Sequence, residues 1–384
     1  MKHAETVCTR CIMDSNVPNI TFDAQGVCNY CTDYLEQCGH VFIDNDGKKE
    51  AKLQALVDKV KKAGAGKKYD CIIGVSGGVD SSWVLVRAIE LGLRPLAVHM
   101  DNGWNSELAQ HNISTLVQRL GVDLHTHVID WQEYRKLMQS FFDADVIDVE
   151  LLYDNAAVAV NYREAAKYGI SYILAGTNSA TEGMRMPEGW NWNKYDKQNI
   201  KSIAKKFGKM RIRTFPAIGT IDFFKFRFVR GIRWTSILDL MPYNKADVLR
   251  QLQESYGYKP YPYKHYESIF TRFYQAYILP NKFGVDKRML HLGTLVASGQ
   301  MTREHALADL AKSPYPDPVQ MKEDYHYFLK KMGWTEAQLQ AYIARPAIAH
   351  DAYSSERGLW NLCERTFNAL RGKSAPVPKK AAAQ

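Results

Sequence analysis

The sequence predicts an α/β chain: a doubly wound parallel sheet, preceded by a small cysteine-rich module and followed by a mainly helical region. Three observations carry this. The run "YDCIIGVSGGVDSS" passes from an apolar strand through a glycine- and serine-rich turn into a helix. Strand-type runs then alternate with helical stretches as far as residue 177. Two C-x-x-C pairs, Cys8–Cys11 and Cys28–Cys31, stand in an N-terminal stretch with little apolar mass.

The bulk composition sets the frame. A chain of 384 residues, 46% hydrophobic and 24% charged, suits a globular protein of two or three domains. The start "MKHAETVCTR" has no apolar secretory core, and no run approaches the roughly 18 apolar residues of a membrane span. A cytoplasmic protein without a membrane span is expected, its seven cysteines free or metal-bound in a reducing compartment. The expected organisation is a zinc-binding four-cysteine module over 1–45, a nucleotide-type α/β domain over 46–234, a helical substrate or partner region over 235–374 and a disordered tail over 375–384.

The first element is the cysteine module. Sixteen residues separate Cys11 from Cys28. Two such knuckles complete a tetrahedral sulfur site, so Cys8, Cys11, Cys28 and Cys31 are the expected ligands of a structural Zn²⁺ in a zinc-ribbon-like fold. Buried thiols without metal, or a redox pair, are the alternatives; neither pair opens a helix after a strand, as a redox motif would. Cys38, Cys71 and Cys363 lack partner spacing and read as packing residues.

The second element is the loop "SGGVDSS", Ser76–Ser82. Gly77 and Gly78 let backbone N–H groups approach a ligand, and the following helix adds unpaired donors and the positive end of its dipole. The hydroxyls of Ser76, Ser81 and Ser82 complete an anion cradle. Asp80 is out of place beside a phosphate unless Mg²⁺ lies between them. A glycine-rich turn with capping serines is the plainer reading, and the length of the motif argues against it. Further strands are expected at 94–101, 122–130 and 170–177, with a ligand at their C-terminal ends. After them, twelve Lys and Arg against two Asp give residues 194–233 a net charge of +10. A basic helix face there could meet the phosphates of nucleic acid or of a nucleotide-linked substrate, or be merely solvated.

The third element is helical. "MPYNKADVLRQLQ", "MTREHALADLAK" and "TEAQLQAYI" each begin with capping residues. The stretch 263–291 mixes His265, Glu267, Arg272, Lys282, Asp286, Lys287 and Arg288 with aromatics. That density suits either a binding surface or a packed helical face.

Two resemblances sharpen these expectations. "SGGVDSS" resembles the pyrophosphate loop of the PP-loop ATP pyrophosphatases (adenine nucleotide alpha hydrolase-like), which cleave ATP between the α and β phosphates and adenylate a carbonyl oxygen. The likeness implies that Ser76, Gly77, Gly78, Val79, Asp80, Ser81 and Ser82 hold pyrophosphate, with Asp80, Ser76 and Ser81 catalytic. It implies that Asp101 lies where adenosine is held. It also implies that Gly176 and Thr177 of "AGTNSATEG" join the ATP site, and that Glu182 shares Mg²⁺ with Asp80.

The chain as a whole resembles the WbpG-like N-acetyl sugar amidotransferases of bacterial O-antigen and lipopolysaccharide synthesis. The features that carry this, in order, are "CIMD", the loop, "GTNSATEGMRMP", "NKYDKQNIKSI", "MPYNKADV", "KHYES", "TRFYQAYILPNKFGVDKR" and "SGQMTREHAL". Such enzymes turn the acetamido group of a nucleotide-activated sugar into an acetamidino group, using ATP, Mg²⁺ and ammonia. Asn178, Glu182, Lys264, His265, Glu267, Arg272, Lys282, Lys287 and Arg288 are the substrate contacts this likeness implies. Trp190 and Trp192 could stack on sugar or base, or pack in a core. No glutaminase nucleophile is evident, so the likeness implies a separate glutaminase (HisH/HisF-like) supplying ammonia. The rival reading is a tRNA-modifying PP-loop enzyme. It would suit the basic window and the cysteine module, but the tRNA thiolases among such enzymes use a catalytic cysteine pair near the loop, and here both pairs are assigned to one metal-type site. A nucleotide sugar, not nucleic acid, is the expected partner.

Overall fold

Apolar strands line up side by side in the computed structural model, which describes residues 6–42, 48–262, 266–315 and 317–370. They are β1 (Cys71–Gly74), β2 (Pro95–Asp101), β3 (Leu124–Val128), β4 (Tyr172–Ala175) and β5 (Arg233–Ser236), all parallel, in the order β3-β2-β1-β4-β5. Residues of β1, β2 and β4 are buried nearly throughout, as strands covered on both faces must be. The edge strand β3 alternates exposed and half-buried positions. The four expected strands are present. The fifth, "RWTS", is short and begins with an exposed Arg, and it carries the sheet two residues past the boundary expected at 234. Strand order reverses between β1 and β4, so the crevice outside their C-terminal ends is the switch point where such sheets bind ligands.

Side chains alternate across the sheet with period two. Cys71, Ile73, Ala97 and Leu174 face one core, which is closed by α2 (Lys48–Gly64), α3 (Val79–Glu90) and α4 (Glu107–Leu120). The helix α1 (Asn29–Phe42) precedes these and belongs to the cysteine module. Ile72, Leu96, Val98 and Ile173 face the other core. That core is closed by α5 (Trp131–Asp143) and α6 (Leu151–Lys167) and, beyond the short α7 (Ser179–Glu182), by α8 (Lys197–Lys206).

The remaining chain wraps the sheet. It comprises α9 (Thr220–Phe224, continued as π-helix), α10 (Lys245–Tyr256), α11 (Ile269–Phe273, also continued as π-helix), α12 (Lys287–Ala297), α13 (Arg303–Ala311), α14 (Pro318–Met332), α15 (Glu336–Ala344) and α16 (Arg357–Leu370). The expected helix starts are capped as the sequence suggested: Asn244 accepts from Ala246 and Asp247 N–H, Thr302 from His305 N–H, and Thr335 forms a capping box with Gln338. No helix among the described residues is long and apolar enough to cross a membrane. The tail expected at 375–384 lies outside the described residues.

One buried histidine ties the C-terminal region to the sheet domain. His350 Nδ1 donates to Asn199 Oδ1 at 2.8 Å, and its Nε2 accepts from Asp148 N–H at 3.1 Å. That geometry requires the neutral ring, and burial depresses its pKa to about 4. The unfolded chain binds this proton near pH 6.5 and the folded one near 4, so stability is full above pH 6.5 and falls as the pH drops through that window. The loss attributable to this ring is at most about 3 kcal/mol. Urea midpoints measured from pH 7 to pH 4 should therefore fall less for His350→Gln than for the wild type. Parallel curves would remove His350 from the acid response.

Candidate functional site

The loop after β1 closes on itself through its serines. Ser76 Oγ lies 3.3 Å from Ser81 Oγ, the Ser76 N–H points at Ser81 Oγ at 3.3 Å, and the Gly78 N–H points at Ser76 Oγ at 3.3 Å. These are long bonds, of the kind a tighter-binding anion displaces. Gly77 holds φ at +86°, and a Cβ there would stand 2.9 Å from the Ala109 carbonyl of α4. The hydroxyls of Tyr258 and Tyr261 fasten the loop from outside, both donating to Gly77 O, at 2.9 and 3.1 Å.

The loop after β4 leans on the same helix start. A Cβ on Gly176 would lie 2.8 Å from Ser81 N and 2.9 Å from the Asp80 carbonyl carbon. Only glycine lets the two loops meet. Asn178 caps α7 through Thr181 N–H and donates to Asp80 Oδ1 at 3.3 Å. Asp80 Oδ1 also accepts from the Tyr243 hydroxyl. Burial raises the Tyr243 pKa, and the charges of Asp80 and Glu182 raise it further. Both carboxylates therefore lie near one half-buried phenol, and both line the cleft beyond. Two hard oxygen donors beside an anion cradle fit a magnesium ion.

That cleft measures about 650 Å³. Ser76, Gly78, Asp80, Ser81, Gly176, Thr177 and Glu182 form one side. Glu150, Asp154, Lys194, Lys245, Glu267 and Lys287 are among the residues of the others. A smaller cavity of about 310 Å³ adjoins it and shares Lys245, Glu267, Gln275, Lys287 and His291.

The expected site residues divide on this geometry. Glu267 and Lys287 are on the cleft wall, the Glu267 carboxylate so close to Gly78 that a Cβ there would stand 2.5 Å from Oε1. Lys287 Nζ is 2.8 Å from Glu150 Oε2. Arg272 is engaged elsewhere: its guanidinium holds Asp324 of α14 at 2.5 and 2.6 Å, and Tyr315 donates to the same carboxylate at 2.9 Å. Lys282 has all three donors taken, by Asp145 Oδ1 at 2.9 Å, Tyr342 O at 2.7 Å and Arg345 O at 2.8 Å. Arg288 is forked onto Asp286 and reaches the carbonyls of Leu310 and Lys312. Arg272, Lys282 and Arg288 thus spend donors on the fold in this structure, while Arg272 and Arg288 also line the smaller cavity. Asn178 positions Asp80, and Asp101 anchors Gly103 N–H and Asn105 Nδ2 at 2.8 and 3.1 Å, Asn105 being the one of these on the cleft. Val79 lines the smaller cavity, and Ser82 is buried in α3. Lys264 and His265 lie outside the described residues.

Trp190 packs in the core of the cysteine module, and Trp192 stacks on His350 with ring centroids 5.1 Å apart. Both also line a third cavity, of about 1340 Å³. Two residues of the basic window are ion-paired: Lys194 bridges Asp148 and Asp154 at 2.7 and 2.8 Å, and Lys197 pairs with Asp222 at 2.9 Å. The residues sequence reasoning missed are Glu150, Asp154, Tyr243 and Lys245. The last two belong to the quoted "MPYNKADV", the one signal that pointed toward them.

The four cysteines form one buried cluster with sulfurs within 4.8 Å of one another. Cys8–Cys31 is 3.9 Å and Cys11–Cys28 is 3.8 Å. A tetrahedron with Zn–S near 2.3 Å has edges of about 3.8 Å, so the sulfur set fits Zn²⁺. N–H groups of Arg10, Cys11 and Cys28 point at Cys8 Sγ, at 3.4, 3.4 and 3.3 Å. Arg303 of α13 fastens the Cys8 and Cys11 carbonyls, at 2.9 and 2.8 Å. Tyr34 of α1 donates to Ser179 O at 2.9 Å, so the module braces the α7 segment that carries Glu182. Replacing Cys8 and Cys11 together by Ser should abolish tight zinc binding, lower the melting temperature and reduce turnover through the loosened α7. Unchanged zinc content by elemental analysis would refute the site.

Comparison with known proteins gives two family matches. Residues 267–367 match the family described as LPS biosynthesis protein WbpG-like, C-terminal domain, and residues 49–187 match the NAD synthase family. Solved structures with a similar arrangement include an NMN synthetase from Francisella tularensis, at 14% identity over 56% of this chain and 98% of that one, with a TM-score of 0.29. An NH3-dependent NAD synthetase from Campylobacter jejuni subsp. jejuni gives the same four values. A predicted subunit of tRNA methyltransferase from Methanocaldococcus jannaschii aligns at 15% identity over 48% of this chain and 74% of that one, with a TM-score of 0.28. At such scores these likenesses add no weight to the family matches. No curated protein matches the chain.

Proposed function

We propose that this chain, a WbpG-like member of the PP-loop superfamily whose two family matches support an ATP-using, amidotransferase-like enzyme, is the synthetase subunit of an N-acetyl sugar amidotransferase. Its substrate is a UDP-linked N-acetylated sugar such as a 2,3-diacetamido uronic acid. The acetamido oxygen attacks the α-phosphorus of ATP, the α–β bond breaks and pyrophosphate leaves. Ammonia then adds to the activated carbon, the C–O bond breaks, AMP departs and a proton is lost from nitrogen. The product is an acetamidino sugar for O-antigen or lipopolysaccharide synthesis in the cytoplasm. A separate glutaminase delivers the ammonia.

One observation carries this reading. The cleft has one wall from the part of the chain that matches NAD synthase and another from the WbpG-like C-terminal domain, Glu267 to Thr294. A nucleotide cradle and a second substrate's wall enclose one space, as adenylation of that substrate requires. Ser76, Gly78 and Ser81 receive the pyrophosphate, and Asp80 with Glu182 would hold Mg²⁺, which when bound offsets the charge on the leaving group. Tyr243 and Asn178 fix the direction in which Asp80 points. Pyrophosphate release from ATP should be stimulated by the UDP-diacetamido sugar with ammonium present, and not by tRNA. Stimulation by tRNA alone would replace this reading with the RNA-modifying one.

A further inference from the structure

The geometry points to Lys245 as the cation that binds the leaving pyrophosphate, an inference that rests on the ATP-cleaving reading of the cleft. It begins from an imbalance of charge. The loop Ser76–Ser82 contains no Lys or Arg. Pyrophosphate accumulates more negative charge than one divalent cation neutralises, so the enzyme must supply a further positive group.

Among the described residues, three lysines line the cleft: Lys194, Lys245 and Lys287. Two are already neutralised. Lys194 lies 2.7 Å from Asp148 and 2.8 Å from Asp154, and Lys287 lies 2.8 Å from Glu150. No carboxylate among the described residues pairs with Lys245. A half-buried, unpaired ammonium on a concave wall is costly unless an anion visits it.

Its placement is built by two segments far apart in sequence. Lys245 is the first residue of α10, directly after the cap Asn244. Its N–H donates to Gln300 Oε1 at 3.1 Å, and Gln300 Nε2 donates to Tyr243 O at 3.1 Å. Gln300, from "SGQMTREHAL", thus braces "MPYNK" from both sides of Asn244. Two residues before the lysine, Tyr243 grips Asp80. The backbone that presents Lys245 is therefore tied to the carboxylate proposed to hold the metal, and the lysine lines the same cleft as Ser76, Gly78 and Ser81, from another side. One short segment supplies both the orientation of Asp80 and the second cation.

The test separates the two halves of ATP. Magnesium pyrophosphate and AMP are titrated separately by calorimetry into wild-type protein and into Lys245→Gln and Lys245→Arg. Loss of a charge-assisted contact should weaken pyrophosphate binding to Lys245→Gln about 10–100-fold and leave AMP affinity unchanged. Lys245→Arg should retain most of the pyrophosphate affinity. Circular dichroism melts of all three proteins should coincide, since the side chain makes no ion pair among the described residues. Equal pyrophosphate affinity for wild type and Lys245→Gln overturns the assignment while leaving the ATP cleft standing. A parallel loss of AMP affinity also overturns it, because the effect is then on the whole cleft. Wild-type protein that binds neither ligand overturns the cleft reading and the lysine's role together.

Discussion

Asp80→Asn should stop AMP-forming turnover while leaving the fold intact. The amide keeps the oxygen that accepts from Tyr243 and Asn178 but removes the charge. A metal-neutralised leaving group is worth several kcal/mol, so the rate should fall on the order of 10³-fold. Asp80→Ala should be equally inactive and less stable. It strands the half-buried Tyr243 hydroxyl, which costs about 1 kcal/mol. The pair of variants thus separates charge from packing. If Asp80→Asn released pyrophosphate at close to the wild-type rate, the metal role of Asp80 would be lost.

The second large effect is steric. In Gly176→Val the new Cβ would sit 2.8 Å from Ser81 N and 2.9 Å from the Asp80 carbonyl carbon, both rigid backbone at the start of α3. The strain is relieved only if the β4 loop moves away, taking Thr177, Asn178 and Glu182 with it. Overpacking of this kind costs about 1–3 kcal/mol, and a displacement of about 1 Å at a reacting centre costs about 10²-fold in rate. Both the urea midpoint and the turnover should drop. Gly358→Ala is the control, since nothing lies within 4 Å of a Cβ built there. A Gly176→Val protein with normal turnover would mean that the two loops need not touch for activity.

The sheet and the anion loop were legible in the sequence because their signals are local. A strand, a glycine turn and an amphipathic helix occupy residues 71–90, and no distant contact is needed to recognise them. The opposite wall was harder. Glu150, Asp154 and Lys194 are polar positions that periodicity places off the core, and periodicity does not say which cavity they border. Charge density at 263–291 pointed to the right region but could not sort it. Lys282 and Lys287 are five residues apart, yet one is used up by Asp145 and two carbonyls while the other reaches the cleft. Their carboxylate partners lie 137 residues earlier in both cases, beyond the reach of any local pattern. β5 was missed for a related reason: four residues beginning with Arg carry no strand pattern of their own, and what makes them a strand is parallel pairing with the distant β4.

The most direct test of the account follows the sugar itself. Purified protein is incubated with Mg-ATP, ammonium and a UDP-linked diacetamido uronic acid, and the nucleotide sugar is examined by mass spectrometry. Replacing the carbonyl oxygen by NH should lower the product mass by about one unit and add a cationic amidine, with one AMP and one pyrophosphate formed per product. An unchanged sugar mass in a mixture that still forms AMP and pyrophosphate would contradict the proposed reaction.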